Sequence, residues 1–379
     1  MFDPDAVDEI VTSGVAEPEC LCGGAWLDDG ETVHQVAELP ERMVYVTEYR
    51  RQRVRCACCR KRRTAPLPVD VSESAFGPKL QGWIVSLRFE HKVSVRCIQQ
   101  LIRGTLGCPI STGVIIAICD RAASVLEQSY QGLVDAVQAS SACCADETSW
   151  ALNGERRWLW MAATRTTVVM MIRPDRSQES ATALLGAYQG VVLCDRYAGY
   201  NHLDERAACW AHLKRDFLKV AGRTNRHAKR IGTQLADIAS EICARYRDFN
   251  EHASRERLAT DITPLHDRVV ELLIELAEHG DDKSATLADT LLTSSFDSLW
   301  RFIDTDGIEP TNNRAERLVR HPVMLRKLTC GSRSTSGEAT TATLLSILAT
   351  CRLQAQSFTD YVAEALAAAT RGDPIHTLT

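Results

Sequence analysis

Three acidic residues lie in short, distinctive stretches of the sequence and could together bind a divalent metal. Asp146 begins the string DETSW, Asp195 begins DRYAGY, and Glu316 lies within NNRAER. Carboxylate oxygens, completed by water and phosphate, are the ligands that Mg²⁺ prefers. A pair of such ions can drive in-line attack on a phosphodiester. These residues therefore favour an enzyme that cuts nucleic-acid strands.

Strand-like segments precede the first two acids and would position them. The predicted strands cover residues 140–145, 157–162, 166–172 and 190–194. A helix ending at Leu185 separates the last two, so the order is β-β-β-α-β, with Asp146 after the first strand and Asp195 after the fourth. This order is the ribonuclease-H-like arrangement of a mixed α/β fold. It would bring the two acids together at one edge of the sheet.

The third acid, Glu316, lies far downstream on a predicted closing helix that covers residues 312–326. A glutamate among arginines is more often a surface ion pair, so spacing alone leaves Glu147 and Glu309 as alternatives for the third ligand. Between the second and third acids, apolar residues recur at helical spacing. This pattern predicts a helical insertion within the core.

Composition limits the class of protein. The chain has 379 residues, of which 45% are hydrophobic and 25% charged, and this length suggests two or three domains. No run of about 18 apolar residues appears, which argues against a membrane span. The acidic N-terminus lacks the pattern of a signal peptide. Fifteen cysteines, mostly single and in apolar segments, are typical of the reducing cytoplasm.

Residues 20–65 form a small cysteine-bearing module that resembles a zinc ribbon. Two cysteine knuckles flank a strand-like stretch at residues 43–46, and the first is C-x-C rather than the usual C-x-x-C. The preferred Zn²⁺ ligands are Cys20, Cys22, Cys56 and Cys59, with Cys58 as a spare. The alternative is a set of unmetallated cysteines in a basic loop.

The net charge of -5 does not indicate a nucleic-acid binder, so charge must be judged by region. Residues 50–63 hold eight Arg or Lys residues in fourteen positions. Among them, Arg60 and Lys61 are expected to contact DNA phosphates. This basic stretch makes the N-terminal module a candidate DNA-binding unit.

Residues 73–135 have a helical pattern. Within them, two short helices across a Gly-containing turn resemble a helix-turn-helix. Ser111 or Thr112 would cap the second helix. Because that helix is not basic, a plain helical hairpin that packs on the core is the alternative.

These patterns divide the chain into predicted segments along its length. The segments are a loose acidic tail (1–19), a zinc-ribbon-like basic module (20–65), a helix-turn-helix-like segment (73–135), the first part of a ribonuclease-H-like catalytic core (136–212), a helical insertion (213–303), and the closing helix of the core with C-terminal helices (304–379).

Several motifs together resemble those of one family. The strings ADET, DRYAGY, CWAHLKRDF, NNRAER and RKLTCGS are similar to motifs of the IS66-type bacterial transposases. The resemblance covers roughly residues 20–370. It implies a DDE transposase with a ribonuclease-H-like core, which cuts and joins DNA at the ends of an insertion sequence.

The resemblance also implies roles for individual residues. Asp146, Asp195 and Glu316 would form the catalytic triad and hold two Mg²⁺ (or Mn²⁺) ions. Cys209 and His212 match a C-x-x-H signature with a structural role near the site. The residues implied to contact DNA phosphates on the closing helix are Arg314, Arg317, Arg320, Arg326 and Lys327.

The partners that the family implies are double-stranded DNA, as terminal inverted repeats and as target, and further copies of the chain. A homodimer or higher assembly would hold two ends together, with accessory proteins of the same element as further partners. The expected location is the bacterial cytoplasm, on the nucleoid when bound. No membrane partner is expected.

The sequence departs from the family pattern in ways that predict differences. The family usually carries a longer N-terminal region with a coiled coil, which would bear on oligomerisation and end binding. Arg196 follows Asp195 where the family more often has a small residue, and this would alter phosphate contacts. One alternative is therefore a catalytically inactive or N-terminally truncated remnant that acts only as a zinc-ribbon DNA-binding protein. Another is a metal-independent recombinase with Tyr197 or Tyr200 as nucleophile.

Overall fold

The computed structural model of the protein describes residues 7–12, 32–37, 39–40, 43–249 and 254–378. Its strands are β1 (Arg53–Arg55), β2 (Arg62–Thr64), β3 (Ala142–Leu152), β4 (Glu155–Ala163), β5 (Val168–Arg173), β6 (Val191–Cys194) and β7 (Arg206–Ala208). Its helices are α1 (Pro78–Phe89), α2 (Val95–Leu106), α3 (Thr112–Val125), α4 (Glu127–Gln138), α5 (Gln178–Leu185), α6 (Trp210–Ala221), α7 (Arg226–Asp248), α8 (Arg255–His279), α9 (Asp282–Leu292), α10 (Phe296–Asp304), α11 (Asn313–Thr329), α12 (Thr335–Leu353) and α13 (Phe358–Arg371). Across these ranges, every helix is too short or too polar to span a bilayer.

A mixed five-stranded sheet with the order β5-β4-β3-β6-β7 lies at the centre of the fold. β3, β4 and β5 form an antiparallel meander, while β6 and β7 run parallel to β3 on its other side. β7 was not predicted, because its three residues are too few to show a period of two. The prediction of a mixed α/β fold is confirmed.

The first strand of this sheet is longer than predicted. β3 continues past Asp146 to Leu152, because its antiparallel partner β4 extends the ladder as far as the pair of Leu152 with Glu155. The prediction that a strand ends at Asp146 is therefore wrong. Pairing with the parallel neighbour β6 does stop early, at Cys144. Asp146 thus lies inside a strand, at the point where one edge of that strand loses its neighbour.

Helices cover the outer edge of the sheet at β5. Ser346 and Thr350 of α12 accept hydrogen bonds at their hydroxyl oxygens from the backbone N–H groups of Met170 (2.8 Å) and Val168 (3.0 Å). Tyr130 of α4 donates its hydroxyl to the carbonyl of Met170 at 3.0 Å. Since an open edge pairs readily with other chains, these contacts protect the sheet.

The segment ahead of the sheet contains α1 to α4. The side chains of Ser94 and Ser111 cap α2 and α3, each accepting a backbone N–H from three residues further on. Gly107 ends α2 in the left-handed conformation, with φ of 65°. The cap of the second helix is therefore Ser111, one of the two residues that the sequence allowed.

The α2–α3 pair presents few cations to solvent on its second helix. Arg121 is the basic residue of α3, and it donates to the hydroxyls of Ser72 (3.0 Å) and Thr370 (3.5 Å). Asp120, which directly precedes Arg121 on α3, is exposed and carries a negative charge. DNA recognition by this pair therefore stays a prediction, and the helical-hairpin alternative accounts for α3 equally well.

The N-terminal module is described only in part. β1 and β2 form an antiparallel hairpin whose side chains are exposed. Residues 43–46 are not a strand, contrary to the prediction, since no described strand lies beside them to pair with. The predicted zinc ligands Cys20 and Cys22 lie outside the described residues.

Candidate active site

Asp146 and Asp195 lie level with each other where β6 ends. The last parallel pair is Cys144 with Leu193, two residues before Asp146 and Asp195, and the charge of Asp195 acts on Asp146. Asp195 follows β6 directly, and its Oδ1 accepts the backbone N–H of Tyr197 at 3.0 Å. Both acids are partly buried. Two motifs separated along the chain are thereby brought to one point of the sheet.

Glu316 joins this pair from the first turn of α11. Burial raises the pKa of Asp146 from 3.8 to about 7, and the negative charges of Glu147, Asp195 and Glu316 add to the rise. The backbone N–H of Glu147 opposes it. The three predicted acids therefore share one electrostatic environment. Their repulsion is of the kind that a bound cation relieves.

α11 is fastened to the free edge of β3 by three contacts to backbone carbonyls. Asn312, Arg326 and Ser332 make these contacts and are here called the β3-edge clamp. The pairs are Asn312 Nδ2 with the Ala145 carbonyl (2.8 Å), Arg326 Nη1 with the Ser149 carbonyl, and the Ser332 N–H with the Ala151 carbonyl (2.8 Å). The clamp replaces a neighbouring strand, and it sets the position of Glu316 relative to Asp146.

A glycine permits the last of these contacts. Gly331 has a φ of 86°, and a Cβ at this position would lie 2.2 Å from the Ala151 carbonyl oxygen. Only a residue without a side chain fits so close to the neighbouring backbone. The glycine of the string RKLTCGS is therefore required by the approach of this turn to β3.

Cys209 connects the C-x-x-H motif to the start of α11. The residue is buried just before α6, and its Sγ accepts the backbone N–H of Asn312 at 3.2 Å. Burial raises the pKa of the Cys209 thiol, while the Asn312 N–H opposes the rise. The backbone N–H of the next residue, Trp210, donates to the Pro310 carbonyl at 2.8 Å. Cys209 thus acts here as a buried hydrogen-bond acceptor that joins two helices.

His212 lies beside the acidic cluster. Burial and the charge of Arg215 lower the pKa of His212, while Asp195 and Glu316 oppose that shift. The Nδ1 of His212 is buried without a hydrogen-bond partner among the described residues, and so is the Oδ1 of Asn312. Unpaired buried polar atoms are uncommon and often mark functional sites.

The carboxylate oxygens of the cluster are ligands that suit a hard cation, although they do not converge on one point. Among the described residues, no group of three or more His, Cys, Asp or Glu side chains lies close enough together to hold a metal ion. Instead, Arg176 Nη2 lies 3.8 Å from Asp195 Oδ2, and Arg215 Nη2 lies 3.8 Å from Glu316 Oε1. Carboxylate oxygens with an uncompensated charge at Asp146 nevertheless fit Mg²⁺ or Mn²⁺ chemically.

Glu147 belongs to a buried hydrogen-bond network that borders the cluster, and it follows Asp146 on β3 and so points to the opposite face of the strand. Its side chain is 1% exposed. Oε2 accepts the hydroxyl of Tyr200 at 2.6 Å, and Oε1 accepts Nε of Arg176 at 2.7 Å. Burial raises the pKa of Glu147, and these two hydrogen bonds oppose the rise. Since its oxygens are already bonded, Glu147 is a poor alternative for the third ligand.

The two tyrosines of DRYAGY have hydroxyls that are already bonded. Tyr200 is fully buried and donates to Glu147, and Tyr197 donates to the carbonyl of Arg176. Burial and the charge of Glu147 raise the pKa of Tyr200 well above its ordinary value. A nucleophile must reach the DNA as an activated oxygen. This geometry argues against the tyrosine-recombinase alternative.

Comparison with known proteins places the chain in a family. The family model described as "Transposase IS66 family" matches residues 73–340, well over half of the chain. The chain belongs to the IS66 transposase family. The resemblance inferred from the sequence motifs is confirmed.

Two curated relatives of this IS66-family chain come from Sinorhizobium fredii (strain NBRC 101917 / NGR234). The uncharacterized protein y4hP is 25% identical over 370 residues, which cover 88% of this chain and 67% of that protein. The uncharacterized protein y4qI is 25% identical over 250 residues, covering 58% of this chain and 45% of that protein. The chain therefore spans about two thirds of one relative and less than half of the other.

Some of the basic residues predicted to contact DNA in this IS66-family chain already bond to other residues of the protein, and others do not. Arg314 pairs with Glu309 at 2.7 Å, and Arg326 is bound to β3 in the clamp. Glu309 is thus engaged in an ion pair and is a poor alternative for the third ligand. Arg196, predicted to alter phosphate contacts, pairs with Asp216 of α6. These cations already have internal partners.

The remaining predicted cations of α11 are exposed. Arg317, Arg320 and Lys327 lie at spacings of three and seven residues, so they share one face of the helix. They form no ion pair with the described part of the chain. We call these three residues the α11 basic stripe.

We expect the basic stripe and the clamp to respond differently to substitution. Changing Arg317, Arg320 or Lys327 to Ala should weaken DNA binding and reduce the slope of log affinity against log salt by about 1 each. Arg326→Ala is the matched control, since it removes an equal charge beside Lys327 but breaks the clamp. It should lower the free energy of unfolding instead, by about 1 to 3 kcal/mol. Salt titrations of DNA binding and urea unfolding measure the two effects, and an equal salt response of Arg326→Ala would contradict the assignment.

The second cysteine knuckle forms a hydrogen-bonded turn. The Cys56 N–H donates to the Lys61 carbonyl at 2.9 Å, and the Arg60 N–H donates to the Cys56 carbonyl at 3.1 Å. The backbone N–H groups of Cys59 and Cys58 and the Cys59 thiol lower the pKa of Cys56. All three cysteines are exposed, as are Arg60 and Lys61. The knuckle therefore presents thiols of the kind that Zn²⁺ requires.

Proposed function

We propose that this chain is a DDE transposase that cuts and joins DNA at the ends of an insertion sequence, using a ribonuclease-H-like core. One observation carries the proposal. Asp146 and Asp195 each lie two residues beyond the last parallel pair of β3 and β6, and α11, fastened to β3, carries Glu316, whose charge also acts on Asp146. The strand order of the sheet, with a three-strand meander followed by two parallel strands, supports the choice of fold.

Asp146, Asp195 and Glu316 would hold the metal ions of this site. When bound, two Mg²⁺ (or Mn²⁺) ions would activate the attacking oxygen and stabilise the leaving oxygen of a phosphodiester. The chain itself would fix these carboxylates through β3, β6 and α11. Glu147 and Glu309 would not serve as metal ligands, because they are paired with Arg176 and Arg314.

The remaining surfaces would deliver DNA to the site. The α11 basic stripe would contact phosphates next to Glu316, and such contacts position DNA without reading its sequence. Arg60 and Lys61, at the tip of the exposed β1–β2 hairpin, would add a second contact. Zn²⁺ on Cys56 and Cys59, with Cys20 and Cys22, would stiffen that module.

The partners follow from this chemistry. Double-stranded DNA would be bound both as the terminal inverted repeats and as the target. Holding two ends together would require at least a homodimer. Accessory proteins of the same element would be further partners. The enzyme would act in the bacterial cytoplasm, on the nucleoid.

Strand cutting on the natural neighbouring DNA tests the proposal. We expect the purified chain with Mg²⁺ to nick a plasmid that carries the DNA flanking the reading frame on both sides, leaving a free 3′-hydroxyl. Chelation of the metal should stop the reaction, and a plasmid without the flanking DNA is the control. Intact plasmid under all conditions would support the alternative of an inactive DNA-binding remnant. A covalent protein–DNA adduct would support a nucleophilic tyrosine.

A further inference from the structure

Arg176 lies beside the candidate site and is not part of any of the family motifs. It precedes α5, and its guanidinium donates to the carboxylate of Glu147 through Nε at 2.7 Å and through Nη2. The Glu147 side chain is 1% exposed, and Tyr200 holds its other oxygen. A buried ion pair costs desolvation and contributes little net stability. A geometric role for this pair is therefore the more informative explanation.

Two aromatic rings fix the orientation of the Arg176 guanidinium. Its central carbon lies 3.6 Å from the centroid of the Tyr197 ring and 5.1 Å from that of Trp158. Tyr197 is itself held, because its hydroxyl donates to the Arg176 carbonyl. A planar cation that is stacked and bonded in this way is pre-organised, so it loses little freedom when it binds a ligand.

The guanidinium still has donors to offer. No acceptor in the described part of the chain bonds to Nη1 of Arg176, and its side chain is 32% exposed. Nη2, which also bonds to Glu147, lies 3.8 Å from Asp195 Oδ2, so the guanidinium borders the acidic cluster while its Nη1 stays unbonded. Phosphate oxygens, like carboxylate oxygens, are acceptors that a guanidinium binds strongly.

We propose that Arg176 binds a non-bridging oxygen of the phosphate that is cut, on the Asp195 side of the site. Glu147, Tyr197 and Tyr200 are positioning residues that hold Arg176 there. The inference rests on the proposed function and adds a residue to it. It also accounts for the glutamate of ADET and for both tyrosines of DRYAGY, which the metal site does not use.

The experiment compares the rates at which variants of the full chain nick the plasmid with the flanking DNA in Mg²⁺. Arg176→Ala alone would leave Glu147 buried without its partner, so the double variant Arg176→Ala with Glu147→Gln is also made. We expect the double variant to nick about 10²-fold more slowly than wild type, the usual loss for one electrostatic donor. Arg176→Lys should recover only part of the rate, because it keeps the charge and loses the fork.

Arg156→Ala is the matched control. Arg156 also lies over the Trp158 ring, at 5.0 Å, but it is exposed and does not bond to Glu147. This variant should nick within about twofold of wild type, as expected for a surface change. Circular dichroism and thermal unfolding verify that each variant is folded.

A neutral phosphate gives a second measurement that a merely structural role would not change. In the absence of Mg²⁺, DNA with a methylphosphonate at the mapped cutting position should bind wild type about tenfold more weakly than normal DNA, because a charged hydrogen bond is lost. The double variant should bind both DNAs alike. The inference is overturned if the double variant nicks at the wild-type rate or still discriminates the two DNAs. A wild-type chain that does not cut at all would overturn the proposed function, and this inference with it.

Discussion

Replacing Asp146, Asp195 or Glu316 with Ala is expected to abolish Mg²⁺-dependent cleavage while DNA binding is retained. The loss should reach at least about 10⁴-fold, as when an essential catalytic group is removed. The reason is that the three carboxylates come from separate elements and would hold the same ions. DNA affinity should change little, because the basic stripe lies on an exposed face of α11. Plasmid nicking and a binding titration measure the two effects, and normal cutting by any one variant would show that the triad is wrongly assigned.

Asp146 adds a stability measurement to the same experiment. Its folded-state pKa of about 7 lies above the 3.8 of a freely exposed aspartate, so the native state disfavours the ionised form. Stability should therefore fall as pH rises from about 4 to about 7, by an amount on the order of 4 kcal/mol at most. Asp146→Asn removes this charge, so it should unfold at a higher temperature than wild type above about pH 7 and at a similar temperature below about pH 4.

Mg²⁺ should reduce that difference. A cation bound to Asp146 stabilises the native wild type and has less to bind in the Asn variant. Thermal unfolding with and without Mg²⁺ separates the effect of removing the Asp146 charge from the effect of losing a Mg²⁺ ligand. If Asp146→Asn were less stable than wild type across the whole pH range, the carboxylate would have a structural partner that the geometry does not reveal.

Asn312→Ala is expected to lower the cleavage rate about 10²-fold, because a small displacement of Glu316 misaligns the carboxylates. Asn312 is 1% exposed and contacts β3, Cys209 and the first turn of α11. Its Nδ2 bonds to Ala145, its N–H to Cys209 Sγ, and its carbonyl accepts the Glu316 N–H at 3.0 Å. The side chain removed by the substitution is the link to β3. Supporting residues of this kind commonly change metal affinity about 10-fold or more, so the Mg²⁺ concentration for half-maximal rate should rise.

The neighbouring residue provides the control for that prediction. Asn313 has the same side chain one position later and is exposed. Asn313→Ala should therefore leave both the rate and the Mg²⁺ requirement near those of wild type. Equal effects of the two substitutions would mean that Asn312 does not position Glu316.

The sequence revealed the parts of this site that depend on local pattern. Apolar runs predicted the strands before the first two acids, and helical spacing predicted the insertion before α11. The strand end at Asp146 was misjudged, because the β4 partner that prolongs β3 is a long-range effect. Short β7 gave no pattern at all. The family motifs, rather than spacing, selected Glu316 over Glu147 and Glu309.

What could not be predicted is which side chains of a motif face the site and which are bound elsewhere. Arg317 and Arg326 look alike in the sequence, yet one is exposed and the other bonds to Ser149 of β3. Arg176 carries no recognisable motif, and its position depends on Glu147 and on a ring from a later segment. Such assignments depend on tertiary contacts between residues far apart in the chain, and single-sequence periodicity does not record these.

The β3-edge clamp has a consequence for when the candidate site can be completed. Glu316 is placed by contacts to β3 that can form only after the intervening helices have been synthesised. A chain still emerging from the ribosome, or one broken before α11, has its first two acids in place and no third. If the proposed function is correct, strand cutting would therefore require a chain that has been synthesised past α11.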